Sequence, residues 1–253
     1  MVEPLSLDEA YLDVTNSQQH SGSATLIAEA IRHEIWHQHQ LTASAGVAAN
    51  KFLAKIASGW NKPNGIYVIR PEQSLDFIAG LAVNKLFGVG KVTASKLASL
   101  NIKTCTDLQC YSLQELHARF GKLGRQLYYQ VRGIDNRPVE PNRQRKSVSV
   151  ENTFVQDITE YNQAIVEINQ LYSRLELRQA NAAETPIKSQ FIKIKFNDFK
   201  LVTAEIQSTS LNLEQFLSLF NTLYPKQPKP IRLLGLGISF KERQTISPQL
   251  SLF

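Results

Sequence analysis

The sequence predicts an α+β chain built from three successive blocks. Three observations carry that prediction. Residues 1–80 alternate short apolar runs with helix-period segments. Residues 81–136 lose the strand pattern and read as short helices broken by Gly88, Gly90, Gly121, Gly124 and Gly133. Residues 147–241 read strand, helix, strand, strand, helix, strand. Each block is long enough for a small core, and 253 residues accommodate two or three such units.

In the first block, Val2 to Leu7 is short and extended, Asp8-Glu9 is a turn dipeptide, and Ala10 to Val14 alternates again. Ser21 or Ser23 caps a helix that runs to about Gln38, with Leu26, Ile27, Ala30, Ile31 and Ile35 on one face. Leu41–Ala48 is a strand of small residues. Asn50 opens a short helix through Ala57, and the polar turn Asn61-Lys62-Pro63-Asn64-Gly65 leads into a strand over Ile66–Ile69.

In the helical block the periodic apolar positions are Leu97, Leu100, Leu108, Leu113, Leu116 and Leu127. A Pro-punctuated basic linker, 137–146, carries Arg137, Arg143, Arg145 and Lys146 against a single acid, Glu140. The third block has strands over Ser147–Val155, Ile187–Phe196, Leu201–Ser208 and Ile231–Phe240, and helices over about Ile158–Ala180 and Asn212–Leu223. Lys193 and Lys195 alternate with apolar neighbours, so one face of that sheet is packed and the other is wet and basic. Two βαβ-like halves of this kind give an open sheet with helices on one side. The tail, 242–253, is polar and flexible up to its last residues.

Composition narrows the function classes. Hydrophobic residues make up 43% and charged residues 20%, a globular balance, and no apolar run approaches the roughly 20 residues that span a bilayer. The start has neither a basic n-region nor an apolar h-region, and the two cysteines, Cys105 and Cys110, fit a reducing cytoplasm. Net charge is +6. Part of that charge clusters in the 137–146 linker, a composition that a solvated linker explains about as well as a DNA partner does.

The chemistry is concentrated in Ser6-Leu7-Asp8-Glu9-Ala10-Tyr11-Leu12-Asp13. A turn can aim two adjacent carboxylates at one point, where they repel unless a cation lies between them. Hard oxygen ligands with free coordination positions suit Mg2+ and bound phosphate. The dipeptide alone reads more readily as a plain surface turn.

The wider string resembles the palm motif of the Y-family DNA polymerases. ASAGVAANKFLAKIAS (43–58) and NKPNG (61–65) are similar to the next two blocks of that family, LFGVGKVTASKLASLNIKT (86–104) to the helix-hairpin-helix of its thumb, and RKSVSVENTF (145–154) to the entry into its little finger. The resemblance covers nearly the whole chain. It implies a partial palm over 1–80, a helical thumb over 81–136 and a little finger over 147–241. It also implies template-directed, error-prone DNA synthesis across damaged bases, with Asp8 a metal ligand and Glu9 beside it in a two-metal Mg2+ site. Lys62 would approach the incoming dNTP. Gly88, Val89, Gly90 and Lys91 would hold a DNA phosphate on backbone N–H groups, with Arg145 and Lys146 adding charge along the primer–template. Gln249, Leu250, Leu252 and Phe253 resemble the terminal peptide with which bacterial polymerases dock on the sliding clamp. A monomer is expected.

Two further expectations follow. The chain opens after the point where this family carries a first palm strand with another aspartate, aromatic pocket residues and a fingers subdomain. It is therefore expected to be N-terminally truncated, to hold Mg2+ poorly and to be catalytically impaired, leaving a DNA- and clamp-binding remnant as the alternative. Separately, His33-Glu34-Ile35-Trp36-His37 fits H-E-x-x-H. A zinc peptidase needs a third ligand, and from Gln38 to Pro71 the only candidate is His39.

Overall fold

The computed structural model describes residues 1–142, 144–180, 185–224 and 229–241. The chain divides into two compact units, Met1–Arg143 and Gln144–Phe253.

The first unit opens with an antiparallel hairpin, β1 (Val2–Pro4) and β2 (Ala10–Leu12). Both strands are shorter than the alternation predicts. The N–H groups of Leu5 and Ser6 turn inward onto the Glu9 carbonyl at 2.8 and 3.3 Å, which ends β1, and the Asp13 carboxylate accepts from Thr15 N–H, which ends β2. The helix α1 (Ala24–His39) is capped by Ser23, whose hydroxyl accepts from Leu26 N–H. Strand β3 (Ala45–Val47) pairs in parallel with β4 (Ile66–Val68), with α2 (Lys51–Ser58) between them in sequence. The expected strand over Leu41–Ala48 contracts to three residues because Arg32 Nε claims the Ala43 carbonyl at 2.7 Å.

Gly46 fixes the contact of β3 with α2. A Cβ there would lie 2.2 Å from the Ala54 carbonyl oxygen and 2.3 Å from Ser58 N, so the strand lies directly on the helix backbone. The α2 N-terminus is unusually well satisfied. Asn50 accepts from Leu53 N–H at 3.0 Å and donates to the Gly133 carbonyl at 2.9 Å, while the Asp135 carboxylate accepts from Phe52 N–H at 2.9 Å. Burial pushes the Asp135 carboxyl up, but the hydrogen bond and charge of Arg137, with backbone N–H groups, outweigh it and hold it below its ordinary value.

Next come α3 (Ser74–Ala79), α4 (Lys91–Ser99), α5 (Cys105–Gln109), α6 (Leu113–Phe120) and α7 (Lys122–Gln130). Capping boxes open α5 (Thr104 with Asp107) and α6 (Ser112 with Glu115). Leu97, Leu108, Leu116 and Leu127 are fully buried, as their spacing predicts, and Leu100 packs at the margin. One core runs from Phe52 through Ile78 and Leu97 to Val131, so the two halves of this unit share their interior. Cys105 lies inside it, and burial pushes its thiol up to about 12, which makes it inert.

The second unit holds β5 (Ser147–Ile158), α8 (Tyr161–Ala180), β6 (Ile187–Phe196), β7 (Leu201–Gln207), α9 (Leu213–Leu223) and β8 (Ile231–Phe240). The strand order is β5-β8-β6-β7, with every neighbouring pair antiparallel. Each βαβ half is thus split by a strand of the other. The predicted α8 boundary at Ile158 moves, because Ile158 still pairs with Ile231 and is buried in the core. Ile168, Leu171 and Leu175 of α8 and Phe216 and Phe220 of α9 cover one sheet face through Ile192, Ile194, Leu234 and Leu236. The predicted tail, 242–253, lies outside the described residues.

Candidate functional site

The hairpin loop between β1 and β2 presents the two adjacent carboxylates. Ser6 Oγ donates to Asp8 Oδ1 at 2.6 Å, and the loop closes on the Glu9 carbonyl, so Asp8 and Glu9 stand at an exposed, hydrogen-bonded tip. The Ser6 hydroxyl, the Asp8 backbone and the charges of Lys62 and Lys55 hold the Asp8 carboxyl below its ordinary range. Asp8 therefore stays ionised at any physiological pH.

Glu9 has a cation beside it: Lys55 Nζ on α2 lies 2.6 Å from Glu9 Oε1, with both side chains partly exposed. Lys62, Pro63 and Asn64 line the same cleft as Asp8, Glu9 and Lys55, a cavity of about 870 Å3. The expected carboxylate turn and lysine turn thus meet at one place.

Three further anchors of this geometry escaped the sequence reading. Arg32 on α1 reaches the 61–65 turn and donates to both the backbone and the side-chain oxygen of Asn64, the latter at 2.6 Å. Lys51 and Glu3 form a buried ion pair at 2.5 Å, which ties the hairpin to α2. Glu3 also accepts from Glu140 N–H at 2.8 Å, and Lys51 donates to the Pro138 carbonyl at 3.0 Å. No local sequence signal marks them, because a single charge on a helix or short strand has the same pattern whether solvated or paired.

The predicted phosphate hairpin lies at the start of α4. Gly88 adopts φ +91, and Gly90 precedes the helix with no side-chain cap and open space where a Cβ would stand. The first turn of α4 leaves backbone N–H groups without intrahelical acceptors. Val89 is buried and Lys91 exposed, so the hairpin is anchored by one side chain and charged at the next. Gln126 and Gln130 amides hold the Phe87 carbonyl at 3.1 and 3.4 Å.

In the second unit Arg145 and Lys146 are exposed just before β5, and the Lys146 carbonyl accepts from Phe240 N–H. On the sheet face not covered by helices, Lys193 bridges to Glu151 at 2.8 Å across Gly235, and the Phe191 ring lies over Gly237. Half of the expected basic character of this face is therefore neutralised by Glu151. Arg143 and the proposed clamp residues Gln249, Leu250, Leu252 and Phe253 lie outside the described residues.

Among the described residues no cluster of three or more His, Cys, Asp or Glu side chains could hold a metal ion. His33 and His37 stack on α1 with ring centroids 6.5 Å apart, and Glu34 accepts from Gln38. The described residues give the H-E-x-x-H pair no third ligand. No described helix is long and apolar enough to cross a membrane.

Comparison with known proteins gives this geometry its class. Residues 1–59 match the impB/mucB/samB family, residues 84–135 the DNA polymerase-iota thumb domain, and residues 145–252 the impB/mucB/samB C-terminal domain. The chain belongs to the Y-family of DNA polymerases, which are DNA-directed nucleotidyltransferases. Within it, the chain is similar to bacterial DNA polymerase IV. It is 51% identical to that of Legionella pneumophila (strain Corby) over 254 residues, which cover 100% of the chain and 72% of the relative. It is 49% identical to that of Francisella tularensis subsp. novicida over 252 residues, again 100% and 72%. A Y-family polymerase chimera of Dbh and Dpo4 matches in structure with a TM-score of 0.80 and 26% identity, over 94% of this chain and 70% of that one. An insertion ternary complex of Dbh DNA polymerase matches in fold with a TM-score of 0.61 at 24% identity, over 94% and 70%. Translesion DNA synthesis is the activity that goes with this family membership.

Proposed function

We propose that this chain performs the nucleotidyl-transfer step of DNA polymerase IV-type synthesis at the Asp8–Glu9 tip. The observation that carries the reading is the convergence of Asp8, Glu9, Lys55 and Lys62 on one cleft. Two carboxylates and two ammonium groups suit a substrate with a polyphosphate on one side and a divalent cation on the other. Asp8 and Glu9 offer hard oxygen ligands that fit Mg2+, with the remaining coordination left to phosphate oxygens and water. When bound, Mg2+ neutralises charge on the attacking and leaving oxygens. Lys62 binds the triphosphate, and Arg32 keeps its turn in register by holding Asn64. The exposed N–H groups at the start of α4, with Lys91, Arg145 and Lys146, grip the primer–template through phosphates, so affinity falls with salt and ignores sequence. Gln249, Leu250, Leu252 and Phe253 form the clamp-docking peptide.

Two carboxylates are a sparse ligand set, and one of them is engaged by Lys55. This supports weak extension by the chain acting alone. The same observation favours a second reading, a DNA- and clamp-binding chain without chemistry. Primer extension with Mg2+ and dNTPs tests both, run beside a DNA-binding assay on the wild type and Asp8→Ala. Slow extension that vanishes in Asp8→Ala while DNA binding is retained supports the first reading. DNA binding without any extension leaves the second. Extension undiminished by Asp8→Ala overturns the assignment of the site.

A further inference from the structure

We propose that Asp135 and Arg137 are positioning residues: they latch the 133–140 segment onto α2 and the β1-β2 hairpin, and so set Lys55 against Glu9 at the carboxylate tip. The proposal rests on the reading of that tip as the nucleotidyl-transfer site.

Lys55 and Glu9 come from two elements with little of their own to hold them together. Glu9 stands on a hairpin whose strands have three residues each, and a two-stranded ribbon is marginal by itself. Lys55 lies on α2, a helix of eight residues, too short to be stable through its own hydrogen bonds. Their meeting therefore depends on what each is tied to.

Residues 134–140 form neither helix nor strand, and the segment is bonded to both elements. On the helix side, the Gly133 carbonyl accepts from Asn50 at 2.9 Å, the Asp135 carboxylate from Phe52 N–H at 2.9 Å and the Pro138 carbonyl from Lys51 at 3.0 Å. On the hairpin side, Glu140 N–H donates to the Glu3 carboxylate at 2.8 Å, on the same oxygen that Lys51 engages. One segment thus grips the first turn of α2 and the first strand of the hairpin together. Lys55 follows Lys51 by one helical turn, and Lys51 Nζ also lies 5.0 Å over the Tyr11 ring of β2.

The latch is the Asp135–Arg137 pair. Arg137 Nε donates to Asp135 Oδ1 at 2.7 Å, and its Nη2 to Oδ2 at 2.8 Å, a two-pronged contact. The Asp135 side chain is 6% exposed and caps α2 from 83 residues away, at an N–H that the helix leaves without an acceptor. Without Arg137 the buried carboxylate has no matching charge, a cost that favours its release toward water. Release frees Phe52 N–H and loosens the segment from both elements. Arg137 is braced in turn by the Phe87 ring, 6.0 Å from its guanidinium carbon.

The test reads the Lys55–Glu9 contact directly, by zero-length carbodiimide cross-linking of the full chain and peptide mass spectrometry. Lys193–Glu151, a comparably exposed pair of the second unit, is the internal control. Neither metal nor nucleotide is present, so the result is separate from whether the tip transfers nucleotides, and Asp8→Ala should cross-link as the wild type does. Arg137→Ala removes a half-exposed side chain, and Asp135→Asn keeps an acceptor for Phe52 N–H. Each should lower the Lys55–Glu9 yield about fivefold against the control, the scale of one lost hydrogen bond. Native tryptophan fluorescence without urea should match the wild type, and Arg137→Ala should keep the DNA affinity and its salt slope. An undiminished yield in either folded variant overturns the proposal. So does loss of native fluorescence in both, because the latch would then hold the fold rather than the tip. A salt slope reduced by about one in Arg137→Ala overturns it as well, because Arg137 would then be a phosphate contact.

Discussion

Lys55 Nζ and Glu9 Oε1 lie 2.6 Å apart, which places a protein cation on the carboxylate that a divalent ion would need. The two therefore compete. Lys55→Met should raise Mn2+ affinity at the tip about fivefold, the scale of one partly exposed ion pair. It should also weaken triphosphate binding, because the cleft loses one of its two ammonium groups. Titration calorimetry with Mn2+, and then with a dNTP, checks both directions.

The Asp8 carboxyl is held below its ordinary range first by the Ser6 hydroxyl. Ser6→Ala should move its titration upward, toward the usual aspartate value, as read by NMR of the Asp8 side chain. The sign for stability follows from the lowered value. The contribution is present above the unfolded-state pKa and is lost as pH falls through the folded-state pKa. Any metal-dependent activity should lose its low-pH limb in the same direction, with the limb starting at higher pH in Ser6→Ala.

The buried Glu3–Lys51 pair is a sharper stability test. Lys51→Met removes the partner of a carboxylate that is 6% exposed and should destabilise the first unit by about 3 kcal/mol. The double variant Glu3→Leu with Lys51→Met should recover most of that loss. Both tryptophans, Trp36 and Trp60, lie in this unit, so their fluorescence in urea reports its unfolding.

Much of this was legible in the sequence. Leu97, Leu108, Leu116 and Leu127 announced their burial by spacing, Asn50 announced its helix, the α1 cap was narrowed to Ser21 or Ser23 and is Ser23, and Ile187–Phe196 and Ile231–Phe240 were bounded as the structure has them. The meeting of the Asp8–Glu9 tip with Lys62 was expected only through the family resemblance, since no local pattern links residues so far apart. Lys55, Arg32 and the Glu3–Lys51 pair were not read, because a lone charge in a helix or edge strand looks the same whether solvated or paired. The split sheet order β5-β8-β6-β7 was likewise beyond a one-dimensional pattern, because strand order depends on non-local pairing.

Glycine substitutions should separate two kinds of close packing. At Gly46 a Cβ meets backbone atoms of α2, which cannot move independently, so Gly46→Ala should cost about 3 kcal/mol. At Gly237 it meets the far end of the Phe191 ring, which can swing toward solvent, so Gly237→Ala should cost about 1 kcal/mol. Urea melts of the two variants give the comparison.

Lys91 at the start of α4 should contribute to DNA affinity without sequence preference. Lys91→Ala should weaken binding equally on unrelated duplexes and reduce the slope of log affinity against log salt by about one. Fluorescence anisotropy across a salt series measures it.

The most direct test of the central claim is Mn2+ binding to the chain with primer–template and a dNTP present, followed by electron paramagnetic resonance in wild type and Asp8→Ala. The expected result is a site that forms with DNA and nucleotide together and is lost in Asp8→Ala, with DNA affinity unchanged. Mn2+ bound equally by both proteins would contradict it, because the cation would then be held somewhere other than the Asp8–Glu9 tip.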